Sequence, residues 1–306
     1  STIKAISSAL KANGYKVELI GNIRSLVSAL AAGKRWDIVF NICEGMHGIS
    51  RESQVPALLE AYNIPVVFSD AVTIALCHHK GLTKRFAQSI GVKTPNFFEI
   101  YSTADIVANK NKLKYPIFIK PLAEGTGKGI TAASKITNQN DFSKLAVDLL
   151  KKYPSGLLVE EFLVGKEYTV SILGTGAAAE IIGTLEIRLR ANAEAEVYSF
   201  KNKEYCEELV DYVYVNNKFS KKCETIALKL WRAIGCRDAG RIDFKLDANG
   251  VPNLLEINPL AGLHPEHSDL PMTCTAVGMK YNTLIKKIMA SAIKRIDKTK
   301  NDQKIK

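Results

Sequence analysis

GRIDFKLDANGVPNLLEIN, residues 240–258, decides the fold. Asn249-Gly250 is a strong hairpin signal, because both central positions of a type I′ turn need positive φ. With those two residues as the turn, positions equidistant from it face each other, so Asp243 sits opposite Glu256 and Arg241 opposite Asn258. Alternation then sends Ile242, Phe244, Leu246, Leu255 and Ile257 to an apolar face, and Arg241, Asp243, Glu256 and Asn258 to a polar one. Two carboxylates directly opposed across a strand pair repel unless something positive lies between them. Asp, Glu and Asn supply the hard oxygens that suit Mg²⁺, with Mn²⁺ as an alternative; Mg²⁺ completes its shell with water and substrate phosphates. The same residues also allow a structural network in which Arg241 neutralises the pair, or a bulge that shifts the register.

A second stretch supplies the phosphate side. In YPIFIKPLAEGTGKGI, residues 115–130, Ile117, Phe118 and Ile119 read as a buried strand ending in Lys120, a charge that needs an anion or water. Gly125, Gly127 and Gly129 let the following turn take positive φ and bring N–H groups close to a ligand, which suits phosphate. Phosphate ligands on one segment and Mg²⁺ ligands on another share one obvious ligand, a nucleoside triphosphate. A P-loop is excluded, since Gly129 rather than Ser or Thr follows Lys128. The H-R-D and D-F-G sets of a protein kinase are absent from the sequence.

At 306 residues with 46% apolar content, the chain can form two or three subdomains with their own cores. The net charge of +11 is scattered lysine with a cluster in the terminal KRIDKTKNDQKIK, and no aromatic-plus-basic motif accompanies it, which argues against nucleic acid. Cys43, Cys77, Cys206, Cys223, Cys236 and Cys274 form no C-x-x-C pair and read as reduced, buried thiols of a cytoplasmic protein. The longest apolar candidate, IPVVFSDAVTIALCHH, is interrupted by Ser69 and Asp70 and falls short of a membrane span, and the opening residues do not resemble a signal peptide.

Along the chain, residues 1 to about 70 alternate helix and strand patterns: a helix ending at Gly14, KVELI, a helix over Ile23 to Ala32, DIVFNI, a helix over Gln54 to Tyr62, and IPVVF. This predicts a parallel α/β layer whose loops bind ligand, NICEGMHG being one. Two helices follow Asp70, then strands, and later a helix over Lys218 to Ile234 and a final helix over Tyr281 to Lys294.

These blocks in this order resemble the ATP-grasp enzymes, and within them the D-alanine–D-alanine ligases. The resemblance covers nearly the whole chain, through NICEGMHGISRESQVPALLEAYNIPVVFSD, CHHKGLTKRFAQSIGVKTP, YPIFIKPLAEGTGKGI, LLVEEFLVGKEYTV and GCRDAGRIDFKLDANGVPNLLEINPLAGL. It implies an N-terminal parallel α/β domain (1–71), a central ATP-grasp subdomain (72–162) and a C-terminal one carrying the metal site (163–306). Carried over by position, Lys80 and Lys120 contact ATP phosphates while Glu124, Gly125, Thr126 and Gly127 close over them. Glu160, Glu161, Phe162 and Leu163 border adenine, Leu255 also contacts the nucleotide, and Glu167 binds the ribose hydroxyls. Asp243, Glu256 and Asn258 bind Mg²⁺, Arg241 and the Gly262 backbone stabilise transition-state charge, and Lys203 reaches phosphate from a mobile loop. The implied reaction activates a carboxylate as an acyl phosphate, which an amine then attacks.

The sequence departs from the family at named positions. Nothing before Ser1 matches the family's opening strand and glycine-rich loop, so a preceding segment is expected. The serine after E-G is Thr126, the tyrosine after Lys203 is Glu204 with Tyr205 next to it, and the usual P-G-M-T loop is Ala261-Gly262-Leu263-His264 followed by PEHS. Ser268 is the candidate for the substrate-carboxylate serine. His264 and His267 lack the helical geometry of H-E-x-x-H and read as substrate contacts or loop polarity. His47 is a candidate substrate contact against a structural role, His78 and His79 flank the ATP lysine, and Trp36 and Trp231 read as core. The departures cluster on the acceptor side, so the expected substrates are ATP and small amino acids or peptides, D-alanine being one option. A nucleotide-binding module without turnover is the competing reading, and the family sets a homodimer through the N-terminal domain as an expectation.

Overall fold

A computed structural model of the chain describes residues 1–112, 114–194 and 196–304, with side chains to residue 299. The last two residues of the terminal lysine cluster lie outside the described residues, as do the side chains from residue 300 onward.

The N-terminal region carries helices α1 (Thr2–Ala12), α2 (Ile23–Ala31) and α3 (Gln54–Ala61). Asn22 caps α2 by accepting from the Arg24 and Ser25 amides. The parallel sheet expected beside them is reduced to one bridge, Val39 to Val66. Val39 exchanges bonds with Pro65 O and Val67 N at 2.8 and 2.9 Å. Pro65 has no N–H, which stops the ladder there. The segment KVELI packs by its side chains alone: Val17 lies with Phe40 and Ile42 against one cluster, and Ile20 with Leu26 and Leu59 in another.

Helices α4 (Ala71–His78) and α5 (Lys80–Ser89) come next. A four-stranded antiparallel sheet follows, of β1 (Phe97–Ile100), β2 (Ile117–Pro121), β3 (Lys135–Ile136) and β4 (Leu157–Glu161), in the order β1-β4-β2-β3. Helices α6 (Thr103–Asn109) and α7 (Gln139–Lys152) cover one face, where Phe142 and Ala146 meet Ile117, Ile119 and Val159.

The C-terminal half builds a five-stranded antiparallel sheet from β5 (Glu167–Leu173), β6 (Glu180–Leu189), β7 (Val210–Tyr214), β8 (Ala239–Leu246) and β9 (Pro252–Asn258), ordered β7-β6-β5-β8-β9. Short helices α8 (Phe200–Glu204) and α9 (Cys206–Leu209) precede β7, and α10 (Lys218–Ile234) lies across the sheet. An Asn217 capping box starts α10, and Gly235 in the left-handed region (φ +82°) ends it. Leu230 and Trp231 of α10 bury against Ile242, Phe244 and Ile257, each fully buried apolar side chain contributing about 1.5–3 kcal/mol. Trp231 donates to Gly174 O at 3.0 Å, as a core residue should. Cys77, Ala87 and Val92 join this same core, so α4 and α5 pack with the second sheet although the sequence grouped them with the first. Helices α11 (Asp269–Ala276) and α12 (Tyr281–Lys304) close the chain, with Leu284, Ile285 and Ile288 packed on Ile6 and Leu10 of α1.

All six cysteines are free, Cys43 half-buried and the others buried. Among the described residues no helix is long and apolar enough to cross a membrane.

Candidate active site

The two sheets face each other across a cleft. Its walls include Lys120 and the 124–128 turn of the first sheet, Arg241, Asp243 and Glu256 of the second, and Lys80 and Lys203. The β8–β9 hairpin supplies its acids. Asp243 pairs with Glu256 and Arg241 with Asn258, as the sequence predicts. The turn is different. Only Gly250 takes positive φ (+72°), Gly250 N bonds Asp247 O, and the Asp247 carboxylate accepts from the Asn249 and Val251 amides. That makes a loop one residue longer than a type I′ turn and shifts the first pairs to Leu246–Pro252 and Phe244–Leu254. A bulge between Asp243 and Phe244 then shifts the register back. The bulge also moves Leu255 off the apolar face, where alternation alone put it, and onto the cleft wall beside Glu256.

Arg241 sits among three carboxylates: it contacts Asp243, lies 3.3 Å from Asp269 at the head of α11, and 4.0 Å from Glu256. Asn258 Nδ2 is 3.2 Å from Asp243 and 3.4 Å from Glu256. Burial pushes the Asp243 carboxyl up to about 7, against Arg241 and with help from Glu256 and Asp269. Burial acts on Glu256 the same way, but Lys80, Arg241 and Lys203 outweigh it and hold this group well below the usual carboxylate range.

Part of the structural reading therefore holds, since Arg241 does neutralise the pair. Asp243 Oδ1 nevertheless remains buried without a hydrogen-bond partner, which marks room for a cation. Among the described residues no set of three His, Cys, Asp or Glu is placed for a metal. The donors here are two carboxylates and an amide whose O and N ends are interchangeable by rotation, a set that fits Mg²⁺ completed by phosphate oxygens.

The lysines are tethered by acids. Lys120, at the end of β2, is 2.6 Å from Glu160 Oε1, and Lys84 is 2.8 Å from Glu160 Oε2. Although buried, Glu160 is held down to about 2 by these two ammonium groups. Its carboxylate is thus engaged with the lysines, whereas the resemblance placed it at adenine. Burial brings Lys84 down to about 8 with Glu160 opposing. The sequence reading missed Lys84. The signal was available, because Lys80 and Lys84 stand four apart on α5 and share one face. Burial lowers Lys80 too, Glu256 opposing at 3.5 Å, and Lys80 Nζ also donates to Glu124 O at 2.6 Å.

The turn after Lys120 needs its glycines. A Cβ on Gly129 (φ +79°) would lie 2.5 Å from Pro121 and 2.9 Å from Tyr153. Thr126 takes φ +53° and Gly127 φ +75°. The 197–203 loop seats on this turn, Phe200 N donating to Ile130 O at 3.1 Å. From that loop Lys203 enters the cleft, over the Tyr198 ring at 5.6 Å. Tyr205 is exposed and does not line the cleft; from the same segment Tyr198 does, bonded to Tyr212 at 2.6 Å. Burial, then Asp269, pushes Tyr198 far up, so it stays protonated.

At the other end Glu161, Phe162, Leu163, Glu167 and Leu255 line the cleft together, as expected of a nucleotide-base and ribose end. Glu167 pairs with Lys245 at 3.1 Å, a partner the sequence did not suggest. In the loop after β9, Gly262 is pressed against Ser268, whose Oγ would lie 2.7 Å from an added Cβ. Ser268 Oγ accepts from His264 N at 3.0 Å, His264 and His267 stack at 4.4 Å, and His267 reaches Glu207 at 3.0 Å. These residues brace the 259–268 loop outside the nucleotide cleft wall, and His47 is exposed with its carbonyl taken by Gln54.

Two antiparallel sheets gripping a cleft lined by lysines and opposed acids define an ATP-grasp architecture. The family model described as the D-ala D-ala ligase C-terminus matches residues 86–290. The chain is 32% identical to the D-alanine–D-alanine ligase of Bordetella petrii over 94% of its own length and 86% of that protein. It is 32% identical to that of Aquifex aeolicus over 93% and 92%. The ATP complex of the Bacillus anthracis D-alanine–D-alanine ligase superimposes over 98% of this chain and 93% of that one, with TM-score 0.76 at 19% identity, a likeness of fold. The chain belongs to the D-alanine–D-alanine ligase family.

Proposed function

We infer that this protein is an ATP-dependent carboxylate–amine ligase that forms an amide between small amino-acid-like substrates and releases ADP and phosphate. The observation that carries this is the opposed Asp243–Glu256 pair, with one buried Asp243 oxygen unpartnered, in a cleft shared with Lys80, 3.5 Å from Glu256, and Lys120. A free carboxylate is a poor acyl donor because its leaving group is oxide; phosphorylation replaces oxide with phosphate, and in-line transfer needs cationic clamps more than a protein nucleophile. Lys80, Lys120 and Lys203 grip the phosphates, and the 124–129 turn covers them. Arg241, held by Asp269, faces the charge that develops on the transferring group, and the Gly262 backbone meets the tetrahedral intermediate. Asp243, Glu256 and Asn258 would hold Mg²⁺, or Mn²⁺, which neutralises phosphate charge and aligns the oxygens.

The relatives named above are D-alanine–D-alanine ligases, and a structural neighbour from Enterococcus faecalis at 22% identity is a D-Ala:D-Ser ligase. For this chain the acceptor is an amino acid or small peptide, with D-alanine the first to test. His264, whose ring packs tilted on that of His267, stands where the family loop carries threonine, and Ser268 is tied to that loop. The reduced thiols support a cytoplasmic enzyme. The test is an ADP-release screen over amino-acid pairs with mass measurement of the product. Release that depends on both substrates supports the ligase; tight ATP binding with no turnover, unaltered in Asp243→Asn, supports a binding module instead.

A further inference from the structure

Glu124 opens the turn built for phosphate, and a carboxylate there opposes a polyanionic ligand. Its charge is met from the N-terminal region. Arg51 Nη2 lies 3.3 Å from Glu124 Oε2, and Arg51 Nη1 donates to the Ala123 carbonyl at 2.7 Å. Arg51 is itself held in place. Its Nη1 is 2.7 Å from His78 Nε2, and a guanidinium has no lone pair, so the imidazole accepts and keeps Nδ1–H for Glu52 Oε1 at 3.0 Å. Glu52 Oε1 is also 3.9 Å from Arg51 Nη2, and only 10% of the Arg51 side chain is exposed. Lys80 takes the Glu124 main-chain oxygen and leaves the carboxylate alone. Among the described residues Arg51 is the cation paired with that carboxylate.

We propose that Arg51 is a positioning residue of the phosphate site. It cancels the Glu124 charge and pins the head of the turn. The segment that follows the NICEGMHGIS loop thereby sets the affinity for the triphosphate, rather than serving only the N-terminal fold. The inference rests on the nucleotide reading above and adds to it a residue from outside both sheets.

The test is calorimetric binding of ATP with Mg²⁺ to the full chain and to Arg51→Gln, Glu124→Gln, the double variant and Arg51→Lys. Arg51→Gln exposes the turn carboxylate and weakens ATP about tenfold or more, equivalent to about 1.4 kcal/mol. Arg51→Gln/Glu124→Gln, lacking both charges, returns to within about threefold of the parent, and Arg51→Lys, which keeps the charge, stays within the same range. Equal weakness in the single and double variants would assign Arg51 a purely structural role and overturn the proposal, as would parent-like binding by Arg51→Gln. If circular dichroism shows Arg51→Gln unfolded, Glu124→Gln decides: binding at least as tight as the parent supports the proposal, and weaker binding overturns it. A parent chain that binds no ATP sinks the nucleotide reading instead.

Discussion

Glu160→Gln tests how the two buried lysines are held. The folded carboxyl titrates at about 2 against an ordinary 4.5, which corresponds to about 3 kcal/mol favouring the ionised form. A group depressed in this way stabilises the fold above its unfolded value, and that contribution is lost as pH falls from about 4.5 toward 2. Removing the charge at pH 7 leaves Lys120 and the fully buried Lys84 without their shared anion. Breaking a buried pair costs about 3–5 kcal/mol. The deficit also has a distinctive pH dependence. Lys84 already titrates at about 8, and without Glu160 it falls further below its unfolded value. Between the folded and unfolded values the unfolded chain binds more protons, so stability rises with pH by at most about 1.4 kcal/mol per unit. The Glu160→Gln deficit is therefore larger at pH 7 than at pH 9. Urea unfolding or calorimetry at the two pH values reads this directly. A variant within about 1 kcal/mol of the parent at pH 7, well under that cost, or a deficit unchanged at pH 9, refutes the account of the Lys84–Glu160–Lys120 triad.

Gly129→Ala combines left-handed backbone with a Cβ driven into Pro121 and Tyr153; it should lose about 1–3 kcal/mol and raise the KM for ATP. Gly14→Ala, at φ +87° with nothing within 4 Å of the new Cβ, carries the backbone strain alone and should lower the Tm less. Because burial holds Asp243 at about 7, a divalent ion must displace a proton below that pH. Mn²⁺ affinity, followed by electron paramagnetic resonance, should then fall about tenfold per unit below pH 7 and level off above it; affinity flat from pH 6 to 8 would remove the proton coupling.

Much of the fold was legible because long helices and alternating strands carry strong periodic signals, as in α10 and β5. The pairing of Asp243 with Glu256 in the β8–β9 hairpin follows from the sequence for an incomplete reason. A loop one residue longer than expected and a bulge at Leu255 offset each other, and a bulge has no marker in a simple apolar–polar alternation. The N-terminal ladder was over-read: KVELI and IPVVF have the composition of strands, but Pro65 and side-chain packing leave one bridge between two of the three segments. Lys84 was hidden by its chemistry, since a lysine on a helix is ordinarily solvated and only the depth of Glu160 shows otherwise. Tyr198 reaches the cleft, and Arg51 the head of the turn beside it, through tertiary contacts that no local spacing encodes.

The central claim is a divalent ion seated between Asp243 and Glu256, facing the lysines that grip a triphosphate. The direct measurement is an anomalous difference map from crystals holding Mn²⁺ and a non-hydrolysable ATP analogue. The account predicts a peak about 2.0–2.4 Å from oxygens of both carboxylates and of the analogue, with Lys80 and Lys120 on its phosphates. A triphosphate bound with its metal elsewhere, and Arg241 still closing the Asp243–Glu256 pair, would contradict it.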